Sequence, residues 1–267
     1  NVDNILKEGF DEVYQLAADM GGIEYISGTN DADIMTNSVL INLNILKSAV
    51  SHNIQSVLYS SSACVYAEEK QQDIASIDCR ESSSYPANPD TEYGWEKLFS
   101  ERLYLAYNKN YGMKNKIVRY HNIFGPYGTW DGGKEKAPAA LCRKVLLSNG
   151  EIDIFGDGNQ VRTFLYVDEC IKATVKIYRD SQYLFPINVG SEQTVTINEL
   201  INIICSIENK ELKRNYITGP TGVKARSSNN DLIKDVLFWS PDQDLTFGIE
   251  KTYLWIKNQI KLRDGIL

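Results

Sequence analysis

"SVLYSSSACVY", residues 56–66, sets a short apolar run, Val57-Leu58-Tyr59, ahead of three serines and, two residues past the last of them, a cysteine. The run has the length of a buried strand, and its flanks decide between strand and helix. Upstream, "DIMTNSVLINLNILKSAVSH" (33–52) carries helical spacing at Ile34, Ile41, Ile45, Leu46 and Ala49, and "DEVYQLAA" (11–18) is a short apolar strand. Downstream, "TEYGWEKLFSERLYLAYNKNYG" (91–112) is a helix that stops at Gly112, and "KIVRYHNIFG" (116–125) is the next strand. Strands alternating with helices predict a parallel sheet with crossover connections. In such sheets ligands sit at the carboxyl ends of strands, which is where Asp19, Ser62, Cys64 and Asn122 fall.

Residues 1–125 therefore read as an α/β, Rossmann-like sheet domain. Past residue 125 the pattern loosens into glycine-rich turns and shorter elements, so 126–267 reads mainly as a smaller, mixed α/β substrate domain. Within it, 163–190 is expected to pack back on the sheet. "TINELINIICSI" (196–207) opens on a capping box, Thr196 to Glu199, and a last helix is expected near 247–262.

The chain has 267 residues, enough for one large domain or two modest ones with a real core. No apolar run approaches the roughly 20 residues a membrane helix needs, and no stretch reads as a signal peptide. A net charge of -7 argues against general nucleic-acid binding, so an anionic ligand must be held by a few local Lys and Arg. Cys64, Cys79, Cys142, Cys170 and Cys205 show no CxxC spacing, which favours reduced thiols, a cytoplasmic location and no zinc site. With only His52 and His121, a His-rich metal site is not expected.

Tyr93 and Lys97, in "YGWEK", stand four apart near a helix start and share one face. An ammonium beside a phenol lowers the phenol's pKa and makes tyrosine a usable base. The plainer reading is a solvated surface pair. The Ser-rich strand end about thirty residues upstream adds weight, because "SSSACVY" followed by "YGWEK" resembles the extended short-chain dehydrogenases that act on nucleotide sugars. That resemblance implies an NAD or NADP cofactor, a tyrosine that removes a hydroxyl proton as hydride leaves, and a lysine that holds the ribose. Ser62, Tyr93 and Lys97 occupy those positions, with Ala63 and Cys64 beside the cofactor.

Longer motifs sharpen it. "AADMGG" (17–22), "RYHNIFGPYGTW" (119–130) and "TWDGGKEKAPAALCRK" (129–144) closely resemble the GDP-mannose 3,5-epimerase family, and the similarity runs to about Lys261. It implies NAD as cofactor, GDP-mannose and GDP-L-galactose as substrate and product, and a homodimer. It makes Cys64 and Lys136 the acid/base pair on opposite faces of the sugar. It assigns substrate contacts to Gly22, Asn122, Glu135, Lys136, Ala137, Lys144, Gln160, Val161, Arg162 and Arg226. The chemistry needs both groups: oxidation at C4 acidifies the hydrogens on C3 and C5, and inversion takes a proton from one face and delivers it on the other. A thiol can exchange protons with carbon where a serine hydroxyl cannot easily do so. The plainer reading of Cys64 is a buried structural cysteine, and that of Arg162 is a surface charge.

This chain departs from the family pattern in three places. Lys224-Ala225-Arg226 replaces Arg-Gly-Arg, and Val161 stands where threonine is usual. The glycine-rich turn that opens a dinucleotide fold is not found; "GPTGVKA" (219–225) begins no helix after a strand and reads as chance. The sequence starts near what would be the family's fourth strand, roughly 60 residues in, at about 30 per βα unit. Two readings follow: part of a complete enzyme, or a catalytically silent nucleotide-sugar-binding remnant. A 4-epimerase or 4,6-dehydratase is a third, sharing Tyr93 and Lys97 but with no evident need for Cys64 and "GGKEKAPAA" (132–140).

Overall fold

The computed structural model describes residues 2–265. Four parallel strands form one sheet in the order Val13–Gln15, Val57–Ser62, Lys116–Tyr120, Ile187–Val189. Successive residues of a strand point to opposite faces, and the packing follows that alternation. Val57, Tyr59 and Ile117 meet Leu46 and Ala49 of helix Asp31–Ser51 and Tyr104 of helix Glu92–Tyr111. Leu58, Val118 and Val189 meet Cys170, Ala173 and Ile177 of helix Val167–Asp180. The Tyr59 and Tyr104 rings stack at 4.5 Å.

Helix Glu92–Tyr111 is fixed at both ends by the residues its sequence offers. Thr91 accepts from the Gly94 N–H, and Gly112 ends the helix in the left-handed conformation. Gly94 also lets this helix press against the end of strand Val57–Ser62: a Cβ there would lie 2.2 Å from the Cys64 carbonyl oxygen.

Two expected strands are shorter than read. The first covers only Val13–Gln15, because Gln15 folds its amide onto Ala17, donating to its carbonyl and accepting from its N–H. The stretch 116–125 breaks after Tyr120, since Asn122 has φ +46° and turns the chain. Its amide donates to the Thr163 carbonyl, and Ile123–Phe124 then pairs with Leu165–Tyr166 instead of extending the sheet.

A second core lies around Phe124. Helices Ala137–Leu147, Ile197–Ser206 and Leu245–Asp264 pack there, contributing Leu141 and Val145, Leu200 and Ile204, and Ile249 and Tyr253. Strand Glu151–Phe155 pairs in parallel with Lys213–Ile217, and Val161–Thr163 lies between Ala225–Arg226 and Thr194–Thr196. The Thr196–Glu199 capping box forms with both reciprocal bonds. Among the described residues no helix is long and apolar enough to cross a membrane, and no cluster of His, Cys, Asp and Glu could hold a metal.

Candidate active site

Beyond the carboxyl end of strand Val57–Ser62 lies a cavity of about 350 Å³. The strand ends in a 3-10 turn, Ala63–Val65, because the Ser62 hydroxyl accepts from the Cys64 N–H at 3.2 Å. That turn sets Ser62, Ala63 and Cys64 in the cavity wall, and the close approach at Gly94 brings Tyr93 beside them.

Tyr93 and Lys97 are buried, so they are not a solvated surface pair. Lys97 Nζ donates to the Ser60 carbonyl at 2.9 Å and lies 5.6 Å from the centroid of the Tyr93 ring. The expected lowering of the Tyr93 phenol is not what the structure gives. Burial dominates and pushes its pKa up, the neighbouring Cys64 adds to this, and a hydrogen bond with Ser62 opposes it. Burial also lowers the Lys97 ammonium, opposed by Glu96.

Lys136 enters the cavity from another part of the chain. It precedes helix Ala137–Leu147, whose second residue is Pro138, and its loop docks on Gly22. The Gly22 N–H donates to the Lys134 carbonyl at 3.0 Å, and a Cβ on Gly22 would lie 2.3 Å from the Glu135 carbonyl oxygen. The cavity walls lower the Lys136 ammonium by desolvation, with Cys64 acting in the opposite sense. The side chain remains open to solvent within the cleft, which moderates that lowering. Glu135 braces the loop, accepting from Arg143 and from the Gly133 N–H, each at 2.7 Å.

The remaining sequence-derived candidates fall in three groups. Asn122, Ala137, Lys144, Gln160 and Arg162 line the cavity. Arg162 rests its guanidinium on the carbonyls of Val161, Thr221, Val223 and Lys224, with no carboxylate at ion-pair distance among the described residues. Burial, with the charge of Arg226, lowers its pKa to about 10. Lys144 donates to the Asp153 carbonyl and lies over the Phe155 ring, while Gln160 Oε1 is buried without a partner. Val161 is the exception, since its buried side chain stays out of the cavity wall and only its backbone supports Arg162. Asp19 also lies outside the wall, with its carboxylate taken by Tyr25, Asn37 and Lys134.

Arg226 forms the third group alone. It is buried and lines the cavity, yet its donors are engaged inside the protein: Nε to Gln71, Nη1 to Cys64 Sγ at 3.2 Å, and Nη2 to Asp90. Sequence reasoning missed Asp90 and Gln71, which stand 136 and 155 residues from Arg226 and belong to no local motif. It also dismissed "GPTGVKA", whose carbonyls carry Arg162.

Residues 1–190 match the model of the NAD dependent epimerase/dehydratase family. A GDP-mannose 3,5-epimerase of Arabidopsis thaliana is 44% identical over 97% of this chain and 69% of its own length. GDP-mannose 3,5-epimerase 1 of Oryza sativa subsp. japonica is 44% identical over 97% and 68%. Among solved structures, the UDP-N-acetylglucosamine 4-epimerase of Methanobrevibacter ruminantium, in complex with UDP-N-acetylmuramic acid, superposes with a TM-score of 0.84 at 26% identity, over 97% of this chain and 80% of that one. The UDP-glucuronic acid 4-epimerase of Bacillus cereus, in complex with UDP-glucuronic acid and NAD, gives 0.82 at 26%, over 97% and 79%.

Proposed function

This chain belongs to the NAD dependent epimerase/dehydratase family and, within it, to the GDP-mannose 3,5-epimerases; from that membership we propose that it epimerises GDP-mannose at C3 and C5 to GDP-L-galactose through a 4-keto sugar. One observation carries the reading. A single cavity gathers a redox set, Ser62 and Tyr93 with Lys97 behind them, and a proton-exchange set, Cys64 and Lys136.

The residues present suit the nicotinamide-ribose end of NAD. Lys97 is 1% exposed, and the described chain gives its ammonium one hydrogen-bond acceptor, the Ser60 carbonyl, which leaves donors for ribose hydroxyls. NAD held there would supply the acceptor for the C4 hydride and the donor that restores it, so no net redox change would occur. Tyr93 takes the proton of the C4 hydroxyl as oxidation proceeds, and Ser62 holds the sugar oxygen against Tyr93. Cys64 and Lys136 then remove and deliver protons at C5 and C3 from opposite faces of the ring. Arg162, a half-buried cation on neutral carbonyls, holds the diphosphate.

Residues 1–125 with 163–190 form the NAD-binding body in this reading, and the rest forms the substrate lobe. Helix Val167–Asp180 and strand Ile187–Val189 support that division by packing on the sheet. The protein works as a cytoplasmic homodimer. In support, Leu40 and Phe99 are half-exposed on the two helices that pack together over one sheet face. Light scattering giving a monomer mass would remove the dimer.

The test of the reaction is GDP-mannose turned over by the full-length protein in heavy water. Solvent deuterium at C3 and C5 with the original hydrogen at C4 supports it. Inversion at C4 without deuterium at either neighbour would instead make the chain a 4-epimerase, and no turnover would make it a binding remnant.

A further inference from the structure

Arg226 is an arginine whose every group of donors has a partner, and one of those partners is the candidate acid/base thiol. Nη1 points at Cys64 Sγ at 3.2 Å. Nε donates to Gln71 Oε1 at 2.5 Å, and Nη2 faces both oxygens of Asp90 at 3.4 and 3.3 Å. Gln71 is fully buried, and its amide cannot turn: Nε2 donates to the carbonyls of Tyr66 at 3.0 Å and Ala67 at 3.2 Å, which leaves Oε1 facing the guanidinium. A planar guanidinium held at Nε and at one Nη has its remaining Nη fixed in direction. That direction is the sulfur.

We propose that Gln71 and Asp90 are positioning residues, which clamp Arg226 so that its remaining nitrogen, Nη1, holds Cys64 in the thiolate form needed to take a proton from carbon. The two act in opposite senses. Gln71 is neutral and fixes geometry without lessening the arginine's charge. Asp90 fixes geometry too, but its carboxylate shares the same cation with the sulfur, so it tempers how far the thiolate is favoured. The other groups that face Cys64 electrostatically are Tyr93, Lys97, Lys136 and Arg162, and both substitutions below leave them in place. The inference rests on the epimerase reading only for what the thiolate is used for.

The test is the pH dependence of Cys64 alkylation by iodoacetamide in the full-length protein, followed by mass analysis of the Cys64 peptide. This readout needs neither substrate nor turnover. In Gln71→Leu the midpoint should move up by about one pH unit, a tenfold loss of thiolate at a pH below it. In Asp90→Asn, which keeps an acceptor on Nη2 and removes the competing charge, it should move down. Asp90 is on the cavity rim, so this variant tests the clamp even where Gln71→Leu does not fold. With substrate, Gln71→Leu should lose deuterium wash-in at C5 about tenfold while C4 oxidation stays near the unmodified rate. Unmoved midpoints in folded variants, a shift in the same direction for both, or equal loss of both stages would overturn the proposal. If the midpoints move as stated but the unmodified protein washes no deuterium into any sugar carbon, the clamp stands and the epimerase reading falls.

Discussion

The Cα of Gly94 lies so near the Cys64 carbonyl oxygen that a Cβ would meet it at 2.2 Å and Pro89 at 2.8 Å. The candidate groups for oxidation and for proton exchange are thus joined by one backbone contact, since Gly94 follows Tyr93 and the carbonyl belongs to Cys64.

Gly94→Ala should show the cost of losing that contact. Alanine favours helix by up to about 1 kcal/mol over glycine, but the obstructing atom is backbone and cannot swing away. Forced overpacking of this kind costs about 1–3 kcal/mol. The variant should melt lower and lose rate in both C4 oxidation and C5 exchange, because Tyr93 and Cys64 shift together. A melting temperature at or above that of the unmodified protein would mean the helix end can move freely.

Tyr93→Phe removes the ionisable hydroxyl and keeps the packing. Single-turnover C4 oxidation, read as transient absorbance of the reduced cofactor, should fall by roughly 10² to 10⁴. In the unmodified protein burial raises the phenol, so the base form is scarce at neutral pH and oxidation should climb as pH rises, by about tenfold per unit at most. A flat profile from neutral to alkaline pH would place the proton elsewhere.

Much of this was legible in the sequence, for reasons that differ by residue. The alternation of apolar strands and helices was enough for the parallel sheet, and Thr91, Gly112 and Thr196 mark helix ends by local chemistry alone. The strand break at Asn122 was not legible, because a left-handed asparagine is chosen by the Thr163 carbonyl 41 residues away. The Tyr93–Lys97 spacing foretold proximity but not the sign of the phenol shift, since burial is a tertiary property. Arg226 was assigned a substrate contact from the family resemblance alone. Its contacts within the protein, Gln71, Asp90 and Cys64, come from distant segments that no local pattern links.

Arg119 and Glu101 form an ion pair buried behind the site, with two charge-assisted bonds of 2.8 and 2.7 Å. Ser61, Tyr66 and Ser84 complete it. Arg119→Met should cost about 3–5 kcal/mol, because the Glu101 carboxylate is left buried without its cation. Arg119→Met with Glu101→Leu should recover much of that loss. Chemical denaturation of both variants checks the order; a double variant less stable than the single one would show that the pair stabilises by more than mutual neutralisation.

Gly22 should matter for a different stage. Its absent side chain lets the loop carrying Glu135 and Lys136 close against it, since a Cβ there would meet the Glu135 carbonyl oxygen at 2.3 Å. Gly22→Ala should displace that loop and leave the strand end with Ser62, Tyr93 and Cys64 in place. C4 oxidation should therefore persist while inversion slows. Equal loss of both stages would mean that Gly22 serves the sheet rather than the loop.

The two candidate proton carriers can be separated from oxidation and from each other. Cys64→Ala removes one carrier, and also frees Arg226 Nη1, while Ser62, Tyr93 and Lys97 keep their contacts. Lys136→Ala removes the other from the opposite wall. In either variant C4 oxidation should continue and inversion at C5 should collapse, because inversion needs one group to take the proton and another to return it on the far face. Deuterium can still wash in without inversion, since the surviving carrier can remove and replace a proton on its own side. From GDP-mannose only the carrier on the face that bears the C5 hydrogen can do this, so one of the two variants should wash label into C5 with retention and the other should not. NMR of the recovered nucleotide sugar reads label and configuration together. Should Cys64→Ala invert C5 at the unmodified rate, the sulfur beside Arg226 is a packed cysteine and the proton must travel by another group in the cavity.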